Sequence, residues 1–305
     1  MGVDASARTK GILSTGLQLQ RAFWREAYNK RGEVPLFRAF IRAFNALGAD
    51  ALTKEYHGSK YQVTFQQLRG AGRPTPRCEL CDVVIIHYSR GDPGNARITF
   101  NQAKVSARPF VRAVHWLLSE PYTFCANLEQ WDLLRNRPPV SPATSQFQPP
   151  PDLLSSAILP SVGSFGVFYP LRQGFDFAYF VADRLAAVNN GPGRSGTLRW
   201  VTPMPPIREI RGYIEVTGTC NLNTFWQALE LNWIGTPVKQ LLASSSEFRV
   251  WVTDLLVSLG RENDDSELPS ELIKGLELER LRDERVSSLR GAEQVPIKAA
   301  ALIRT

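Results

Sequence analysis

The chain is poor in the residues that most often carry chemistry: four cysteines, three histidines and two methionines in 305 residues. Four cysteines in a chain of this length do not make a disulfide framework. Cys78-Glu79-Leu80-Cys81 has the two-residue gap of half a zinc site or of a redox motif, but no second pair completes a zinc ribbon. A redox pair belongs at a helix N-terminus, and this one leads into a β-branched run, so the expectation is buried thiols at the mouth of a strand. His57, His87 and His115 lack the closely spaced asparagine of a two-histidine nuclease. There is no Gly-x-Ser-x-Gly elbow. Gly191-Pro192-Gly193-Arg194-Ser195-Gly196 lacks the Gly-Lys-Ser/Thr ending of a phosphate loop and reads as an ordinary loop. No apolar run approaches the roughly 20 residues of a membrane span. Met1 to Lys10 is polar, without a signal-peptide apolar region and cleavage site. These absences lead us to expect a soluble, cytoplasmic protein with no membrane contact.

What is present is a large core and a basic surface. The hydrophobic fraction is 43%, enough for one large domain or two small ones. Net charge is +7. Arginines recur through 21–42, 69–77, 90–112 and 194–211, an excess that favours polyanionic partners. The seven tryptophans and sixteen phenylalanines offer stacking surfaces for bases, although most are expected in the core.

The chain divides at changes in pattern. Leu17, Phe23, Trp24 and Tyr28 lie at roughly helical spacing, and Leu36, Phe37, Phe40, Ile41, Phe44 and Leu47 form a clearer apolar stripe flanked by Arg38 and Arg42. Tyr61 to Phe65 alternates as a strand, and Arg69 to Pro76 is a Gly/Pro loop. Phe110 to Leu118 and Phe124 to Leu134 read as helices. Residues 137–151 hold six prolines and read as a long loop or linker. Ser164 to Tyr169, Phe175 to Phe180 and Ile210 to Val216 read as strands, with a brief helix at Asp183 to Val188. Asn223 is a candidate cap for a helix holding Phe225, Trp226, Leu229 and Trp233, and 248–259 is a further apolar element. From Arg261 the composition turns acidic and then leucine-bearing. The expected organisation is a domain over 1–260 and a charged amphipathic helical extension over 261–305.

The most informative segment is Asp82-Val83-Val84-Ile85-Ile86-His87-Tyr88, a polar loop, and Arg97-Ile98-Thr99-Phe100-Asn101-Gln102-Ala103-Lys104. With Ser89 to Asn95 as the turn and Tyr88 opposite Ala96, paired residue numbers in an antiparallel hairpin sum to 184. Asp82 then stands opposite Gln102, with Lys104 as its diagonal neighbour on the same face. A one-residue slip would send Asp82 to the other face. An acid, an amide oxygen and an ammonium at one open hairpin tip are what magnesium-dependent cleavage of a phosphodiester requires.

The order helix, strand, Asp-led strand, Gln-x-Lys strand, helix, strand over roughly 12–180 resembles the core of the PD-(D/E)xK nuclease superfamily, the restriction-endonuclease-like fold. Asp82 matches its first acidic position, Gln102 the second and Lys104 the lysine. Glu79-Leu80-Cys81-Asp82 is similar to the Glu-Leu-x-Asp of some Gln-x-Lys branches. Glu129-Gln130-Trp131-Asp132-Leu133-Leu134 followed by Arg137-Pro138-Pro139 is similar to a helix that often trails the lysine. Two departures are Cys81 where the signature has proline, and Gln102 in place of a carboxylate. The second lowers the attraction for a hard cation and raises the importance of Glu79, Glu26 or Glu55.

The resemblance implies an α/β fold, a mixed sheet flanked by helices, with the C-terminal helical extension appended. It implies a metal-dependent DNA endonuclease, a restriction or anti-phage effector using Mg2+ or Mn2+. Asp82, the Gln102 side-chain oxygen and the Ala103 carbonyl would hold the ion, and Lys104 would orient the attacking water. Arg108 and Arg112 would grip flanking phosphates. DNA is the expected partner, with a homodimer or a sensor subunit contacted through the C-terminal helix. The rival readings are a non-catalytic nucleic-acid-binding or assembly subunit on the same fold, and a zinc-thiolate protein built on Cys78 and Cys81.

Overall fold

A computed structural model describes residues 5–55, 61–68, 75–110, 122–145, 147–189, 193–201, 206–263, 266–288 and 299–305, with side chains in the first helix described from residue 15 and in the last helix as far as residue 286. The chain opens with helices α1 (Ala5–Glu26) and α2 (Glu33–Ala43). Strands β1 (Ala51–Glu55), β2 (Gln62–Phe65), β3 (Arg77–Glu79), β4 (Val83–Ser89), β5 (Asp92–Val105) and β6 (Thr123–Asn127) lead into α3 (Leu128–Asn136). Then come β7 (Val140–Pro142), β8 (Gly163–Leu171), β9 (Gly174–Val181), β10 (Leu185–Ala187), β11 (Ser195–Trp200), β12 (Ile207–Ile210), β13 (Tyr213–Val216) and β14 (Gly218–Thr219). The last part holds α4 (Leu222–Glu230), β15 (Thr236–Pro237), α5 (Val238–Ser244), α6 (Ser246–Arg261), α7 (Leu268–Gly275), α8 (Glu279–Ser288) and β16 (Ala299–Arg304). The protein is mixed α/β, and none of its described helices is long and apolar enough to cross a membrane.

The main sheet runs β1-β16-β4-β5-β8-β9-β14, with β15 added along the first half of β5. It is mixed: β4 and β5 are antiparallel, while β16 is parallel to β4 and β8 is parallel to β5. Both faces are covered. Val84, Ile86, Ile98 and Phe100 join a core with α3, α5, α6 and α7, while Val83 and Ile85 join another with α1, α2 and α4. Two-sided burial accounts for the unbroken Val-Val-Ile-Ile run, since a strand with solvent on neither face has no reason to alternate.

The hairpin register is the expected one where it matters. Val83 pairs with Asn101 and each rung to His87 with Arg97 sums to 184. Nearer the turn the expectation is corrected. Ser89 pairs with Asp92, and the register shifts between His87 and Ser89, so Tyr88 and Ala96 are not a rung. Gly91, at φ +82°, turns the chain in two residues, and the bulge absorbs the difference.

Several local readings also change. Phe124 lies in strand β6, and the helix starts only at Leu128, where the Asn127 side chain accepts from Glu129 N at 2.9 Å. Asn221, not Asn223, caps α4, with Thr224 completing a reciprocal capping box. Residues 185–187 form β10 rather than helix. The expected helix at 110–118 and the loop at 69–76 fall largely outside the described residues, as does part of the loop at 191–196. The proline-rich stretch is packed rather than free: β7 pairs with β2, and Phe147, Leu153 and Leu154 are buried.

The largest difference lies at the C-terminal end. Residues 261–305 contribute α7, α8 and β16, and β16 lies inside the main sheet between β1 and β4. Leu272, Leu276 and Leu278 are buried in the same core as Ile86 and Phe100. The leucine stripe is therefore spent within the domain, and the packing shows no break at 260. Alanine at 299–301 has high helix propensity, and pairing with β4 and β1 overrides it.

Candidate functional site

The site is built where β4 begins and β5 continues past it. Asp82, one residue before β4, donates its N–H to Asn101 O at 2.9 Å. Two residues further along β5, the N–H and C=O of Ala103 point to the same side, but β4 no longer runs there. Two side chains replace the missing strand. Asp82 Oδ2 accepts from Ala103 N at 2.8 Å, and Lys104 Nζ donates to Ala103 O at 2.6 Å. Lys104 Nζ also lies 3.2 Å from Glu33 Oε1, at the first turn of α2.

Gln102 completes the group. Its Nε2 donates to the Glu79 backbone carbonyl at 3.4 Å, whereas its Oε1 is buried and accepts no hydrogen bond among the described residues. A buried amide oxygen left in that state costs about 1–3 kcal/mol, and such a group in a folded protein asks for an explanation.

The tip is not open, as the hairpin alone suggested. Asp82 is 8% exposed, Lys104 7% and Gln102 0%. Parallel pairing with β8 is the reason, because Gln102 stands beside Phe165 and Lys104 beside Val167. The Ala103 carbonyl, expected as a ligand, accepts from the Lys104 ammonium at 2.6 Å. Glu79 reaches the group through its backbone; none of its described hydrogen bonds brings its carboxylate to Gln102.

The remaining candidates separate. Arg108 is exposed, four residues beyond Lys104. Arg112, His57 and His115 lie outside the described residues. Glu26 is paired with Arg42 and Glu55 with Arg38. The acid that meets the lysine is Glu33, which the sequence reading missed. An acid in the first turn of a helix is favoured by the helix dipole alone, so Glu33 carries no sequence signal of a partner. His87 is a core residue whose Nε2 lies 2.7 Å from Ile234 O, and burial pushes its imidazole down to about 4. Cys78 and Cys81 are buried and form no disulfide among the described residues. Burial and then the Glu129 carboxylate push the Cys78 thiol up, the reverse of what a zinc thiolate needs.

Among the described residues no cluster of three or more His, Cys, Asp and Glu side chains gathers for a metal ion. The donor set at the hairpin is instead one carboxylate and one amide oxygen. Magnesium suits so few protein donors because it keeps several of its waters, and the unsatisfied Gln102 Oε1 is the kind of oxygen it takes.

Compared with protein-family models, curated proteins and solved structures, the chain matches none.

Proposed function

We propose that this protein is a metal-dependent endonuclease on a restriction-endonuclease-like core, acting on DNA as a restriction or anti-phage effector. The observation that supports the reading is the gathering of Asp82 and Lys104 on the single Ala103 residue, next in the chain to Gln102, whose buried side-chain oxygen accepts no hydrogen bond among the described residues. The helices on both faces of the mixed sheet and the β5–β8 parallel pair agree with that core.

Asp82 and Gln102 would hold Mg2+ or Mn2+, with water completing the sphere, and the reading requires the closed tip to open for both to enter. The ion, when bound, supplies polarisation of a phosphate oxygen and a more acidic water. Lys104 would turn from Ala103 O to orient the attacking water and to offset charge on the phosphate in the transition state. Glu33 holds the ammonium in place and offers a site for its proton. Arg108 would bind a flanking phosphate, and Arg112 is assigned the same role from sequence. Cutting both strands calls for a second copy or a partner subunit. The buried leucines of α7 leave the charged surface of α8 as the C-terminal contact for it.

The test is magnesium-dependent nicking of supercoiled plasmid by the wild type beside Asp82→Ala and Lys104→Ala. The reading requires cleavage by the wild type and loss of at least about a hundredfold in each variant. Equal activity in all three proteins would assign the cleavage to contamination and overturn it.

A second reading, a nucleic-acid-binding or assembly subunit without catalysis, is favoured by one observation. Asp82 and Lys104 already satisfy the backbone of Ala103, so the cluster has a structural use. Binding of DNA without any cleavage would favour that alternative.

A further inference from the structure

The outer face of α1 borders a cleft of about 1280 Å³. Arg21, Arg25, Trp24 and Tyr28 line it from one side, and the β8–β9 turn closes it with Gln173 and Gly174. The spacing of 21, 24, 25 and 28 puts these side chains on one helix face and its immediate continuation. Their partners on the opposite face, Leu19, Ala22 and Phe23, are buried in the core. Trp24 is 42% exposed and Tyr28 73%, large apolar rings that folding alone does not place in solvent. Among the described residues no carboxylate lines the cleft, and neither Arg21 nor Arg25 forms an ion pair.

Alternating guanidinium groups and exposed rings are the elements that hold a polyanion with aromatic units. Arginine neutralises phosphate, and every base offers a face to a ring without regard to sequence. The volume exceeds the roughly 300–1,000 Å³ of an ordinary small-molecule pocket, so more than one nucleotide unit can enter. The topology adds a direction. β5 and β8 are parallel, so the β8–β9 turn lies at the same end of the sheet as Lys104, whose partner in β8 is Val167. Gln173 is six residues beyond Val167, at most about 20 Å of extended chain.

We propose that this cleft binds unpaired, single-stranded nucleic acid, with bases on Trp24 and Tyr28 and phosphates on Arg21 and Arg25. The inference rests on the nuclease reading for its placement beside the cutting centre, and it names the form of the substrate strand. A duplex keeps its bases stacked on one another and offers these rings nothing; a frayed, flipped or displaced strand does.

The experiment is fluorescence anisotropy with a 5′-labelled 12-nucleotide single strand and the full-length protein in EDTA, where no metal-dependent cleavage occurs. Three proteins are compared: wild type, Trp24→Ala/Tyr28→Ala and Arg21→Ala/Arg25→Ala. The aromatic variant is expected to bind about tenfold to a hundredfold more weakly, with the salt dependence of binding unchanged. The arginine variant is expected to bind more weakly and to lose about 1.4 units from the log–log salt slope, about 0.7 for each phosphate contact. Unlabelled duplex of the same sequence should compete at least tenfold worse than the single strand. All these side chains are exposed, so unfolding temperatures should match the wild type. Three results overturn the proposal: equal affinity in all three proteins, equal competition by duplex, or a change of oligomeric state in the aromatic variant that accounts for lost binding. Failure of the nuclease reading looks different: an intact cleft effect with no plasmid nicking by the wild type.

Discussion

Lys104 Nζ stands 3.2 Å from Glu33 Oε1, which joins the end of a central strand to the first turn of a helix 71 residues away in sequence. Glu33 is 43% exposed on its side chain, so the pair contributes little to stability, about 0–1 kcal/mol. Its significance is positional. Glu33→Gln should leave the unfolding temperature within about 3 °C of wild type. It should lower plasmid nicking at least about tenfold, because the lysine loses the carboxylate that positions it. An unchanged rate would confine the pair to a structural role.

Asp82 has two separable duties, and two variants divide them. Asp82→Ala leaves the Ala103 N–H buried without an acceptor, at a cost of about 1–3 kcal/mol. Asp82→Asn keeps an oxygen for that N–H and should cost less than about 1 kcal/mol. Both should abolish nicking, because an amide lacks the charge that holds the cation. Urea unfolding measures the first pair of effects and a plasmid assay the second. Full nicking by Asp82→Asn would contradict the assigned role.

Gln102→Glu would give the proposed metal site a second carboxylate. In EDTA it places a charge where the side chain is fully buried, and the protein should lose about 2 kcal/mol or more. Millimolar Mn2+ should recover that loss, by mass action on the folded state. Differential scanning fluorimetry with and without Mn2+ reads both. No recovery would separate Gln102 from any metal.

His87 sets an acid limit on stability. Burial lowers its folded-state value from 6.5 to about 4, so the unfolded chain binds the proton more readily. Its contribution is complete above about pH 6.5 and is lost as the pH falls toward 4, about 3 kcal/mol in all. Denaturant unfolding between pH 7 and 4 should show that decline, and His87→Leu should flatten it. The same slope in the variant would place the acid sensitivity in other groups.

The hairpin was legible because its cause is local. The unbroken run from Val83 to Ile86 announces a strand buried on both faces, and the rung from Val83 to Asn101 then follows from pairing. The position of Lys104 along β5 was legible for the same reason. What the sequence withheld is supplied from far away. β8 closes the tip through Phe165 and Val167, and Glu33 arrives from α2. Nothing in either segment alone points to residue 104. The strand at Ala299–Arg304 was hidden more deeply, because three alanines favour helix until two waiting strand edges decide otherwise. The cleft beside α1 left a trace in sequence as a helix whose Leu17, Trp24 and Tyr28 proved to be its exposed side.

If the cluster on Ala103 holds a divalent cation and is more than a substitute for the missing end of β4, Mn2+ titrated into the purified full chain should show it by electron paramagnetic resonance. Bound Mn2+ is expected in the wild type, displaced by Mg2+, with loss of that bound signal in Asp82→Asn at unchanged fold. Free Mn2+ alone in the wild type, or the same bound signal in Asp82→Asn, would contradict it.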